Sequence, residues 1–156
     1  MKKCIICDID GVFVDSSKWT PFIPASRDDR EGWNRFAQQV SLCTPNIQFI
    51  RILKLMSLLF PIVFVTSREN SIALRAATEA QLKVFSENWI VIGEKHKLLM
   101  RPYGDFRDAW QVKRDLLSAE VLPYYKPLLA IDDEIDNIIM YKGLGIPTWY
   151  YTKLRK

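Results

Sequence analysis

Three short apolar runs constrain this chain most, because each stops abruptly at a polar cluster. Cys4 to Ile9 leads into Asp8-Ile9-Asp10-Gly11, Ile62 to Val65 into Thr66-Ser67-Arg68, and Leu128 to Ile131 into Asp132-Asp133. Continuous apolar runs of this length are the pattern of strands buried on both faces of a parallel sheet. Between them lie helical patterns. Ile47 to Phe60 carries apolar residues at one-turn spacing, and Pro61 ends it. Ser71 is the expected N-cap of a helix over Ser71 to Leu82, and Asp108 to Ala119 forms the next. Asp136 to Tyr141 is a helix expected to close at Gly143 in the left-handed conformation. Trp89 to Ile92, Leu98 to Met100 and Thr148 to Tyr151 are the remaining strand candidates. The stretch from Ser16 to Pro45 is mixed, with one short helix expected over Glu31 to Val40.

This alternation predicts an α/β fold with a parallel sheet flanked by helices. The length of 156 residues fits a single domain, with about 16–45 as a small cap insertion. In such sheets, ligands bind beyond the carboxyl ends of the strands. The three polar clusters therefore converge on one edge.

The remaining composition mostly excludes. Hydrophobic residues at 49% and charged residues at 26% are ordinary globular usage. The net charge of +4 is compatible with a polyanionic ligand without requiring one. Cys4, Cys7 and Cys43 are too few and too odd for a disulfide framework, which favours a reducing, cytoplasmic compartment. Cys4 and Cys7 lie three apart on a strand, so their thiols point to opposite faces and cannot share a metal. The most apolar stretch, Ile47 to Val65, is interrupted by Arg51, Lys54 and Pro61, so no membrane span is expected. His96, flanked by Lys95 and Lys97, reads as an exposed loop residue. Trp19 is open between packing in the cap and stacking on a base. The basic tail Lys153, Arg155 and Lys156 reads as a solvated end.

The converging residues define a chemistry. Four carboxylates in one cleft stay ionised together only around a cation, and hard oxygen ligands select Mg²⁺. Thr66, Arg68 and Lys113 add a hydroxyl and two positive groups, which suit an anionic substrate. Together these suggest phosphoryl transfer. Asp8 and Asp10 are two apart and face one way at a strand end, while Gly11 lets the backbone turn away. One carboxylate can attack phosphorus, and the other can protonate the leaving oxygen and then activate water.

The order of these pieces resembles the haloacid dehalogenase-like (HAD) phosphatase superfamily, whose fold is Rossmann-like. Its motifs match Asp8-Ile9-Asp10-Gly11-Val12, the strand ending in Thr66, Lys113, and Asp132-Asp133. Further matches are Val63 to Glu69, Leu99-Met100-Arg101, Gly104-Asp105-x-Arg107, Val112-Lys113 and Ala130 to Asp133. With Gly32-Trp33, Phe36 and Pro45-Asn46, they resemble the phosphatase domain of phage polynucleotide kinase and its stand-alone relatives. The resemblance implies Asp8 as nucleophile, Asp10 as general acid and base, Thr66 as phosphate ligand and Lys113 as neutralising cation. Ser67, Arg68 and Gly11 would face the substrate. Mg²⁺ would be held by Asp8, the Asp10 carbonyl and one of the late pair, with Asp133 the direct ligand and Asp132 behind it.

The implied activity is Mg²⁺-dependent removal of a 3′-phosphate from nucleic-acid ends. Alternatives are a nucleotidase acting on free nucleoside monophosphates and a non-catalytic nucleic-acid-binding module. The substrate would be a phosphorylated nucleotide or nucleic-acid end, with no membrane and no obligate protein partner. No Gly-x-x-x-x-Gly-Lys-Ser/Thr loop occurs, so a kinase half is absent from this sequence. A phosphorelay receiver is excluded because its acidic pair precedes the phosphorylated aspartate, the reverse of the order here.

Overall fold

The computed structural model describes residues 1–152, so the tail positions Lys153, Arg155 and Lys156 lie outside the described residues. The chain begins with β1 (Lys2–Cys7). The short strands β2 (Val14–Asp15) and β3 (Thr44–Pro45) pair antiparallel and bracket helix α1 (Arg30–Gln38). Helix α2 (Ile47–Ser57) then leads into β4 (Ile62–Glu69), α3 (Ile72–Phe85) and β5 (Lys97–Arg101). Helix α4 (Ala109–Glu120), β6 (Tyr125–Asp132), α5 (Ile135–Gly143) and β7 (Thr148–Tyr150) complete it.

The main sheet is parallel, in the order β5-β4-β1-β6-β7. The chain steps from β1 to β4 on one side and later returns to β6 on the other. The carboxyl ends of β4, β1 and β6 are thus neighbours at the point where strand order reverses, where a crevice opens in this architecture. The Asp8 N–H donates to the Ile131 carbonyl at 2.9 Å, locking the first polar cluster beside the last.

Strict alternation along β1 and β4 splits the core in two. Ile5, Cys7, Ile62 and Phe64 pack under α2 and α3, with Phe49, Leu53, Leu74 and Leu82. Cys4, Ile6, Val63 and Val65 pack under α4 and α5, with Leu117, Val121, Met140 and Tyr141. Cys4 and Cys7 are therefore buried, free and on opposite faces of the sheet. Burial raises both thiols above their ordinary range.

The 16–45 segment has its own small aromatic nucleus. Trp19 stacks on Phe36 with ring centroids 4.0 Å apart, and its Nε1–H donates to the Phe36 carbonyl at 2.7 Å. Trp33 meets Phe36 edge-on. Asp29 caps α1 by accepting from the Gly32 N–H. Trp19 is only 2% exposed, which closes the choice left by its sequence in favour of packing.

Three local expectations are corrected. Trp89 to Ile92 is not a strand. Glu87 and Asn88 take positive φ, which turns the chain out of α3, and Ile92 makes only an isolated bridge to His96. Helix α5 runs through Gly143, and the left-handed residue is Gly145 at φ 74°. His96 is buried, not exposed: its Nδ1 accepts the Ile62 N–H at 3.0 Å, and its ring meets Trp89 edge-on. The backbone donor at the start of β4 needs an acceptor, and neutral imidazole supplies it. Among the described residues no helix is long and apolar enough to cross a membrane.

Burial, helped by Lys95, pushes His96 down to about 4 from 6.5. The unfolded chain therefore takes up this proton first on acidification. The stability from neutral His96 is complete above the unfolded value and is lost as pH falls through the folded one. Urea unfolding should show a loss of about 2–3 kcal/mol from this group across that window. His96→Gln should flatten that part of the slope, and identical slopes in the two proteins would contradict the assignment.

Candidate active site

Each polar cluster leaves its strand at the same edge. β1 ends at Cys7, and Asp8 follows at once, buried. The chain then turns through Gly11 at φ 81°. A Cβ built on Gly11 would lie 1.9 Å from Asp133 Oδ2, so glycine is required both by its φ and by the approach of that carboxylate. Lys113 extends from α4 across the end of the sheet. Although 1% exposed, its Nζ donates to Asp8 Oδ1 at 2.9 Å and to Asp132 Oδ2 at 2.7 Å.

Asp132 is wholly committed. Its Oδ1 accepts the Glu134 N–H and the Asn137 side-chain amide, and its Oδ2 accepts Lys113 and the Tyr141 hydroxyl. Asp133 is only half-buried and faces the cavity beside Asp8. Oxygens of Asp8, Asp132 and Asp133 lie within 4.8 Å of one another. That carboxylate set is the one a hard divalent cation takes, with Asp133 and Asp8 open to it and Asp132 held behind.

The electrostatics show the crowding. Burial, and then the negative charge of Asp132, push Asp8 well above the usual carboxylate range, although Lys113 opposes the shift. Burial and the neighbouring Asp132 and Glu134 push Asp133 up to about 6, against a hydrogen bond shared with Asp8. Burial disfavours the charged form of Lys113, but Asp8 and Asp132 outweigh it and hold the ammonium well above its usual value.

Asp10 belongs to a second network. Arg68 grips its carboxylate at both oxygens, Nε to Oδ2 at 2.9 Å and Nη2 to Oδ1 at 2.8 Å. Its other donors go to Thr78, Gln81 and the Cys43 sulfur, and its guanidinium lies 4.8 Å from the Trp19 ring centroid. All five N–H groups are therefore spent on protein. Arg68 is thus neither a surface ion pair nor a free substrate donor. It is a buried clamp on Asp10. The Asp10 carboxylate accordingly lies outside the cation-sized cluster.

A cavity of about 580 Å³ opens over this floor. Asp8, Asp10, Ser67, Arg68, Lys113 and Asp133 all reach its wall. Gly11, Thr66 and Asp132 do not; Thr66 is fully buried, and its Oγ1 accepts the Arg68 N–H at 3.2 Å. The 16–45 segment forms the opposite wall through Trp19, Ile23, Arg27 and Trp33. It is fastened by the Arg30–Glu69 ion pair at 2.6 Å and by Arg27, which donates to Phe106 and Asp108.

The sequence reading missed Asn137 and Tyr141, which orient Asp132. Their signal was available: two polar groups four apart on the face of α5 that packs against the sheet. The clamp around Arg68 had no comparable signal, since its partners come from four separate segments.

Lys113→Met leaves Asp8 and Asp132 as buried anions without their common cation. Breaking a buried ion pair from one side costs about 3–5 kcal/mol. A loss of that size is expected in urea unfolding at neutral pH. Adding Asp8→Asn and Asp132→Asn to Lys113→Met should recover much of it; an equal loss in the triple variant would contradict the charge argument.

A family model for the polynucleotide kinase PNKP phosphatase domain matches residues 2–153. No curated protein matches the chain. Among solved structures, a chain of a Pnkp1/Rnl/Hen1 complex superposes with a TM-score of 0.71 at 23% identity, over 97% of this chain and 46% of that one. A chain from the Pnkp1/Rnl/Hen1 RNA repair complex gives 0.70 at 23% identity, over 97% and 42%. This chain thus spans less than half the length of those chains, and at that identity the likeness concerns the fold.

Proposed function

Since this chain belongs to the family of polynucleotide kinase phosphatase domains, which are HAD-type phosphatases, we propose that it removes the 3′-phosphate from nucleic-acid ends through an aspartyl phosphate on Asp8. One observation carries the site assignment: a buried lysine bonded to two carboxylates, with a third carboxylate open to the same cavity. The 16–45 segment is read as the cap of this one domain. Arg27, Arg101 and Arg107 line the cavity as well and favour an anionic substrate.

In this reading, an Asp8 oxygen attacks phosphorus in line, and the bond to the 3′ oxygen breaks. Asp10 donates a proton to that leaving oxygen. Arg68, donating to both Asp10 oxygens, fixes that carboxyl in place, and the proton Asp10 passes on is taken up from solvent before the step. In the second step Asp10 takes a proton from water, the water oxygen bonds to phosphorus, and Asp8 is released as carboxylate. Lys113 has one N–H left after Asp8 and Asp132, and that donor meets a phosphoryl oxygen. Ser67, on the cavity wall, faces the same group, while Thr66 stays buried beneath it and accepts the Arg68 N–H. Mg²⁺ held by Asp8, Asp133 and the Asp10 carbonyl would supply charge neutralisation at the phosphate.

The test is phosphate release with Mg²⁺ from a 3′-phosphorylated oligonucleotide, a 5′-phosphorylated one and free nucleoside monophosphates. Release from the 3′ end is expected, falling by about 10³-fold or more in Asp8→Asn. Release only from mononucleotides would make the protein a nucleotidase, and release from none would overturn both readings.

The cation has its own signature. Asp133 sits at about 6, so its proton competes with metal below that pH. Mg²⁺ should raise the melting temperature, with an apparent affinity that weakens as pH falls, because Asp8 and Asp133 are both pushed upward and their protons compete with the cation. Asp133→Asn should abolish the shift. A shift retained in that variant would place the cation elsewhere.

A further inference from the structure

A second cleft, of about 520 Å³, opens between α4 and α5. Trp110 and Arg114 form its α4 wall, and Asp136, Ile139, Met140 and Leu144 form the other. Trp110 and Asp136 also line the cavity over Asp8, so the two spaces adjoin across one indole. Trp110 stands one turn before Lys113 on the same helix. It is half-buried against the apolar cluster beneath the sheet, which fixes the ring, and the Arg114 guanidinium lies 5.5 Å from its centroid. The floor is apolar and open. Ile139 is 61% exposed, and a Cβ on Gly143 would meet nothing within 4 Å.

A fixed aromatic wall, an apolar floor and a single guanidinium at the rim match the chemistry of a nucleobase with its phosphodiester. Bases stack on such platforms with little regard to sequence, and arginine adds a cation at the ring and the backbone. Asp136 offers an acceptor for a base amino group or a sugar hydroxyl. Continuity decides the occupant. A strand whose terminal phosphate lies at Asp8 must leave that cavity, and Trp110 and Asp136, which line both spaces, mark where the cleft adjoins it. We propose that the cleft holds the base of the nucleotide preceding the phosphorylated end, stacked on Trp110. This rests on the reading of the cavity as a site for nucleic-acid ends. It makes Trp110 and the cleft the feature that separates a polynucleotide from a mononucleotide.

The test reads binding without turnover, in Asp8→Asn protein with Mg²⁺. The probes are a fluorescent single-stranded 3′-phosphorylated oligonucleotide, followed by anisotropy, and thymidine 3′-phosphate as competitor. Trp110→Ala should weaken the oligonucleotide by about fivefold or more, the effect of losing one stacked base. Trp110→Phe should retain most of the affinity. Ile139→Asp, at an exposed position outside the Asp8 cavity, should weaken the oligonucleotide comparably and leave the mononucleotide unchanged. Unchanged oligonucleotide binding in both Trp110→Ala and Ile139→Asp would overturn the proposal, as it would if the cleft serves a protein partner. Equal weakening of both probes, or no oligonucleotide binding at all, would also overturn it. Phosphate release by the unsubstituted protein reads the hydrolytic function separately, so either can fail alone.

Discussion

The bond from Lys113 to Asp8 and Asp132 is the constraint around which the other parts are arranged. An ammonium buried to 1% exposure is tolerable only where anions meet it, and here one comes from the end of β1 and the other from the end of β6. Satisfying all three charges fixes the height of α4 over the sheet. It also fixes the order of β1 beside β6, since Asp8 and Asp132 must present their oxygens to one nitrogen. Asn137 and Tyr141 then align α5, because they use the remaining lone pairs of Asp132. Two helices and two strands are thereby placed by a single cation and its partners.

Arg68 plays the corresponding part on the other side. It leaves β4, grips Asp10 in the turn after β1, reaches Thr78 and Gln81 on α3, and lies against Trp19 and Cys43 of the 16–45 segment. Gln81 in turn donates to the Val40 carbonyl of that segment. The position of Asp10 is thus coupled to the seating of the wall above it. Movement of that wall would shift the Arg68 clamp before it reached Asp8, because Asp8 is held independently by Lys113.

Much of this was legible in the sequence, and the misses have physical reasons. Buried parallel strands announce themselves as unbroken apolar runs, and the rule that ligands meet their carboxyl ends points to Asp8, Ser67 and Asp133, whereas Lys113, on a helix, was marked only by its place in the order of motifs. Local sequence cannot show which acceptor a buried donor will find. His96 looked solvated between two lysines, yet the first N–H of β4 needed its ring nitrogen. Arg68 looked available to a ligand because its five acceptors are scattered over more than fifty residues of chain. Trp89 to Ile92 has strand composition, but the positive φ of Glu87 and Asn88 sends it away from the sheet edge.

The balance of charge gives these parts a common logic. Four carboxylates, Asp8, Asp10, Asp132 and Asp133, gather at one strand edge against two buried cations, Lys113 and Arg68. The excess is two negative charges, and it is not shared evenly. Asp10 and Asp132 are fully paired, so the surplus falls on Asp8 and Asp133, the two carboxylates pushed upward and facing the cavity. A divalent cation is the smallest addition that neutralises the surplus. It would enter at that pair, because the oxygens of Asp132 are already committed to four donors and the Asp10 carboxylate lies outside the cation-sized cluster. In the proposed reaction a cation at that pair would cancel the surplus and so would lower the repulsion that a phosphate dianion meets on its way to Asp8.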